Sequence, residues 1–118
     1  MIRFLPIVIF SALESFGSDW NQFRGPTGQG HALTDELPMV WGREEGILWR
    51  VEIAGKAWSS PIQVGNQVVL SNAREGINDD ALYLEAIALN LSDGSEAWRK
   101  NLFRYSSLPR IHSKNSYA

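Results

Sequence analysis

After residue 20 the chain never sustains a helical repeat; short runs of alternating apolar and polar residues end instead on glycine, proline or polar turns. That period-two pattern commits the chain to strands. Ile47, Trp49, Val51 and Ile53 share one face of a run whose other face carries Arg50 and Glu52, so 47–53 is expected to be a half-buried strand ending at Gly55. Ser60–Val64 is the next expected strand, with Pro61 at its start, where a missing N–H costs least. Gly65-Asn66 is a two-residue hairpin signal, and 67–71 returns as a third strand. A polar loop is expected over 72–80. Leu82–Leu89, apolar on both faces, reads as a fourth strand packed between two layers. Ser92-Asp93-Gly94 turns the chain into a fifth, 96–102. The expected fold class is all-β and antiparallel, with little helix.

The first 17 residues carry a different pattern. Arg3 precedes an apolar run, Phe4–Leu13, of about ten residues, short of the roughly 20 needed to cross a bilayer. Ser15-Phe16-Gly17 places small residues where a signal peptidase reads, so 1–17 is expected to be a secretory signal cleaved before Ser18. A periplasmic or secreted location follows, with no membrane span once the signal is removed. The absence of cysteine excludes disulfides, cysteine metal sites and a lipid-modified N-terminal cysteine. With 11 basic and 13 acidic residues the net charge is -2 and no basic patch stands out, which argues against nucleic acid as a partner.

Five tryptophans are many for 118 residues and suggest a recurring packing role. Gly46–Arg50 recurs in outline as Gly94–Arg99, with Trp-Arg pairs beginning at 49 and 98. Trp58-Ser59-Ser60-Pro61 has a partial echo in Tyr117-Ala118. A period of about 40–50 residues with four strands each is the mark of propeller blades.

Ala88-Leu89-Asn90-Leu91-Ser92-Asp93-Gly94-Ser95-Glu96-Ala97-Trp98 resembles the tryptophan-docking motif of quinoprotein propellers, Ala-x-Asp-x-x-Thr-Gly-Lys-x-x-Trp. Ala88, Gly94 and Trp98 match; Asn90, Asp93 and Ser95 stand where the motif has Asp, Thr and Lys. Asp19–Gly30, then Leu37-Pro38, Trp41 and Ile47–Trp49, resemble the start of the mature domain in secreted PQQ-like (pyrroloquinoline-quinone-like) propellers of planctomycete-type bacteria. Trp58, Ser59, Ser60 and Pro61 resemble the opening of a blade. The resemblance implies a signal over 1–17, a lead-in over 18–45, and a first blade with the start of the next over 46–118. It further implies that Ala88 lies against a flat ring from a neighbouring blade, that Gly94 turns the backbone, that Asn90 or Asp93 bonds that turn, and that Trp98 stacks on the adjacent blade. The remaining blades would then lie beyond residue 118, and this piece alone is expected to aggregate or stay partly unfolded.

Other candidates for chemistry are sparse. Gly25–Gly30 lacks the Gly-Lys-Ser/Thr ending of a phosphate loop and reads as a tight irregular loop. His31 and His112, the only histidines, have no carboxylate or second histidine at ligand spacing. Glu44-Glu45 and Asp79-Asp80 are paired acids, the second pair conceivable as a loop calcium site but better read as solvated. Ser59 and Ser60 lack a nucleophile elbow. Asn90-Leu91-Ser92 fits a glycosylation sequon. The leading expectation is therefore a non-catalytic binding or scaffold module for a protein or polymer ligand, with no catalytic, cofactor or metal residue evident. The alternative implied by the resemblance is part of a quinoprotein alcohol or sugar dehydrogenase, which would use PQQ and calcium.

Overall fold

The computed structural model describes residues 19–32, 37–77 and 79–118; the expected signal segment lies outside the described residues. The chain is all-β, and no helix occurs among the described residues. Four antiparallel strands, β1 (Ile62–Val64), β2 (Gln67–Glu75), β3 (Leu82–Asn90) and β4 (Glu96–Tyr105), form one open sheet in chain order. Each connection is short, as an up-and-down antiparallel sheet requires. Gly65-Asn66 makes the two-residue turn between β1 and β2.

The register sets out the sheet in rows. Val69, Ala88 and Trp98 lie across from one another, as do Leu70, Ile87 and Arg99. Asn72, Glu85 and Asn101 form a third row, and Arg74, Tyr83 and Arg104 a fourth. Register shifts between Leu84 and Glu85 and between Ala88 and Leu89 bend β4 against β3. The buried apolar residues, Ala73, Ala81, Leu82, Ile87, Ala88 and Leu89, lie on β3 or beside it. They mark the centre of a sheet whose outer strand, β4, is exposed at every residue.

Three strand expectations need correction. Residues 47–53 form no ladder with any of the described residues and are largely exposed. Their alternation is real, but a strand exists only where a second backbone accepts its hydrogen bonds. The strand expected over 60–64 begins only at Ile62, since Ser59 and Pro61 divert the edge. The loop expected over 72–80 is strand as far as Glu75, because polar Asn72 and Arg74 find partners across β3.

The β1 edge is partly covered. Trp20 makes an antiparallel bridge to Gln63, whose N–H donates to the Trp20 carbonyl at 2.9 Å. Asp19 Oδ1 accepts from Gly65 N at 2.7 Å. Lys56 and Ala73 exchange backbone bonds of 2.8 and 3.1 Å. Between these contacts the chain bulges through Trp58–Pro61. There the Ser59 hydroxyl donates to the Ser71 carbonyl at 3.1 Å and accepts from Ser71 N at 3.3 Å, standing in for the missing backbone.

Candidate functional site

The turn between β3 and β4 is built by its own polar side chains. Gly94 N donates to the Asn90 carbonyl at 2.8 Å, and Asn90 N to the Ser95 carbonyl at 2.8 Å. Asp93 Oδ1 accepts from Ser95 N at 2.8 Å and from Ser95 Oγ at 2.6 Å. Asn90 Nδ2 donates to Ser95 Oγ at 2.9 Å. The Ser95 hydrogen bonds hold the Asp93 carboxyl below its ordinary value. Of the two residues expected to bond the turn backbone, Asp93 does so, while the Asn90 side chain reaches it through Ser95.

Gly94 has φ +73°, a left-handed conformation that favours glycine. It also lies under an aromatic ring: a Cβ there would stand 2.5 Å from Trp49 Cε3. Trp49 Nε1 donates to the Leu91 carbonyl at 2.7 Å. The indole is thus seated flat on the turn and hydrogen-bonded to it, 42 residues upstream in sequence. A ring from outside the sheet does meet this motif, but on Gly94; across the ladder from Ala88 stands Trp98 of the same sheet. Ala88 is fully buried, whereas Trp98 is 41% exposed and donates from Nε1 to Gln67 Oε1 at 3.2 Å.

The blade-opening residues are divided between two tasks. Ser59 closes the edge of β2, as above. Trp58, 67% exposed, donates its backbone N–H to the Ala118 carbonyl at 2.8 Å. Ser59 and Ser60, with Ile62, Val69 and Ser71, line a shallow groove of about 240 Å³.

A second polar centre was not singled out from the sequence. Glu85, with no exposed side-chain surface, accepts from Asn72 Nδ2 at 2.8 Å and from Arg99, and Arg74 Nε lies 3.7 Å from its other oxygen. Asn72 Nδ2 also donates to the Ala54 carbonyl at 2.9 Å, so the cluster ties the upstream chain to the sheet. Glu85 Oε2 is buried and accepts no hydrogen bond from the described residues. The available signal was a carboxylate inside the apolar run Leu82–Leu89, where burial demands a cationic partner. Glu96 bonds Arg99 in turn, which lowers the Glu96 carboxyl and raises the guanidinium.

The remaining sequence candidates are placed apart from both centres. Asp79 is paired with Arg104 at 2.7 Å, and this bond holds its carboxyl below the ordinary value. Among the described residues no three histidine, cysteine, aspartate or glutamate side chains gather in a metal-binding group. His31 is exposed; His112 is exposed and accepts from Lys114 N through Nδ1 at 3.2 Å. Gly25 is buried beneath the Trp20 ring, which accounts for the tight loop beyond it. Glu44-Glu45 sits in an exposed turn closed by Gly42 N to the Glu45 carbonyl at 2.8 Å. No helix of the described residues is long and apolar enough to cross a membrane. Comparison with protein-family models, with curated proteins and with solved structures found no match for this chain.

Proposed function

We propose that this chain is a non-catalytic binding or scaffold module of an exported β-propeller of the PQQ-like class, in which the four-stranded sheet is one blade. The observation that carries the reading is the pair of tryptophans at matching places in the repeat. Trp49 is seated on the turn at Gly94, bonded to the Leu91 carbonyl, and Trp98 is left 41% exposed on the outer strand. One indole fixes the preceding segment to this sheet; the other is free to fix this sheet to the next blade. Segment 47–53, strand-like in sequence and unpaired among the described residues, would then find its ladder partner elsewhere in the propeller. The partners are the remaining blades and a protein or polymer ligand at their rim. Residues 1–17 supply export to the periplasm or medium. The Ser59 hydroxyl is bound on both sides to Ser71, which suits a structural role better than a nucleophilic one.

Sedimentation velocity of the isolated chain across a concentration series tests this reading. Reversible or progressive self-association, accompanied by binding of an apolar dye, is expected. A monodisperse monomer with one cooperative thermal transition overturns it.

A further inference from the structure

Asp93-Gly94 is the one step in the sequence where glycine follows an aspartate or an asparagine. Such a step carries chemistry of its own. The glycine amide nitrogen can attack Cγ of the aspartic acid. An N–Cγ bond forms, the amide proton and the carboxyl hydroxyl leave as water, and a five-membered imide results. Water then opens the imide at either carbonyl. Opening at Cγ restores aspartate. Opening at the backbone carbonyl routes the chain through Cβ and Cγ, an isoaspartyl link one atom longer than a peptide. Glycine favours the first step because it has no Cβ to crowd the attacking nitrogen.

In this fold each reacting group is committed elsewhere. Gly94 N donates to the Asn90 carbonyl at 2.8 Å, and that proton must leave for the ring to close. Asp93 Oδ1 accepts from Ser95 N at 2.8 Å and from Ser95 Oγ at 2.6 Å. These donors favour the ionised carboxyl, whereas loss of a hydroxyl needs the protonated one. Gly94 is buried, and the Trp49 indole, bonded to the Leu91 carbonyl at 2.7 Å, fills the space over it. Asp93 itself is exposed, so water reaches its side chain when the turn opens.

We propose that Asp93-Gly94 is a modification site gated by the seat of Trp49: it stays aspartyl while the indole rests on Gly94 and converts to isoaspartyl when the ring leaves. The added backbone atom displaces Gly94 from beneath the ring, so conversion removes the seat. A reaction confined to the open form of a turn proceeds in proportion to the population of that form. The inference uses only the turn and its ring and stands apart from the propeller reading.

Incubation of the full chain at mildly acidic pH, followed by peptide mapping for isoaspartate, tests it. The reference is a synthetic peptide of residues 88–98, which has no Trp49 to cover the turn. Conversion in the full chain is expected to be at least about tenfold slower than in the peptide. Trp49→Ala is expected to recover most of that factor. Trp58→Ala removes an indole that is 67% exposed, at a residue whose backbone N–H bonds Ala118 rather than the turn, and is expected to leave the rate unchanged. That variant separates the seat from a general loosening of the sheet. Equal rates in chain and peptide, no acceleration in Trp49→Ala, or equal acceleration in Trp58→Ala each overturn the proposal.

Discussion

At the scale of single residues, the turn over Leu91–Ser95 does two jobs with one set of atoms. It reverses the chain and it receives an indole. Gly94 must be glycine twice over, because φ +73° disfavours a side chain and the Trp49 ring occupies the space a Cβ would need. The two demands separate in a mutant cycle. Gly94→Ala is expected to destabilise by about 2–4 kcal/mol, combining a left-handed backbone with overpacking against the ring. With Trp49→Ala already made, only the backbone part should remain, about 1–2 kcal/mol. The coupling, measured by urea titration of the four proteins, should exceed about 0.5 kcal/mol. Additive effects would mean that the indole does not rest on Gly94 in solution.

At the scale of elements, β4 shows how an exposed strand is held to a sheet. All ten of its residues are exposed, so side-chain burial contributes little; the backbone ladder to β3 holds the strand, and its cations add ion pairs to it. Arg99 reaches Glu85 and Glu96, and Arg104 reaches Asp79 and Tyr83. The carboxyls of Glu96 and Asp79 are lowered chiefly by these hydrogen bonds. A depressed folded-state pKa contributes stability that is present above the unfolded value and lost as pH falls through the folded one. Stability is therefore expected to hold from pH 8 to about 5 and to fall below about 4, where free carboxylates protonate. The doubly neutral variant Glu96→Gln, Asp79→Asn should be less stable at pH 7 and show a flatter decline in acid. An unchanged acid limb in urea midpoints would remove these pairs from the account. The same element shows how far local pattern reaches. The strand order, the Gly65-Asn66 hairpin and the turn at Ser92–Gly94 are legible in the sequence, because turn chemistry and alternation are properties of adjacent residues. The pairing of Glu85 with Arg74 and Arg99 depends on register, and register is set by the whole ladder. For the same reason 47–53 is recognisable as strand-like but not as partnerless among the described residues. The seat of Trp49 on Gly94 joins residues whose relation no local period encodes.

At the scale of the whole molecule, the balance between interior and surface decides what the sheet can do alone. Among the described residues the buried apolar ones are three alanines with Leu82, Ile87 and Leu89, while Met39, Trp41, Leu48, Trp58 and Phe103 are each at least 60% exposed. A single sheet with so few buried apolar side chains removes little apolar surface from water, so hydrophobic stabilisation is small beside the entropy of ordering the chain. The denaturant slope reports the surface exposed on unfolding directly. For an isolated chain kept dilute enough to be monomeric, the urea m-value is expected at or below the low end of the usual range of about 1–3 kcal/mol/M. It should rise when the faces are covered, because each additional layer adds surface that unfolding must expose. A mid-range value in the dilute monomer would mean that the exposed tryptophans are packed in solution, and the sheet would then be complete without neighbours.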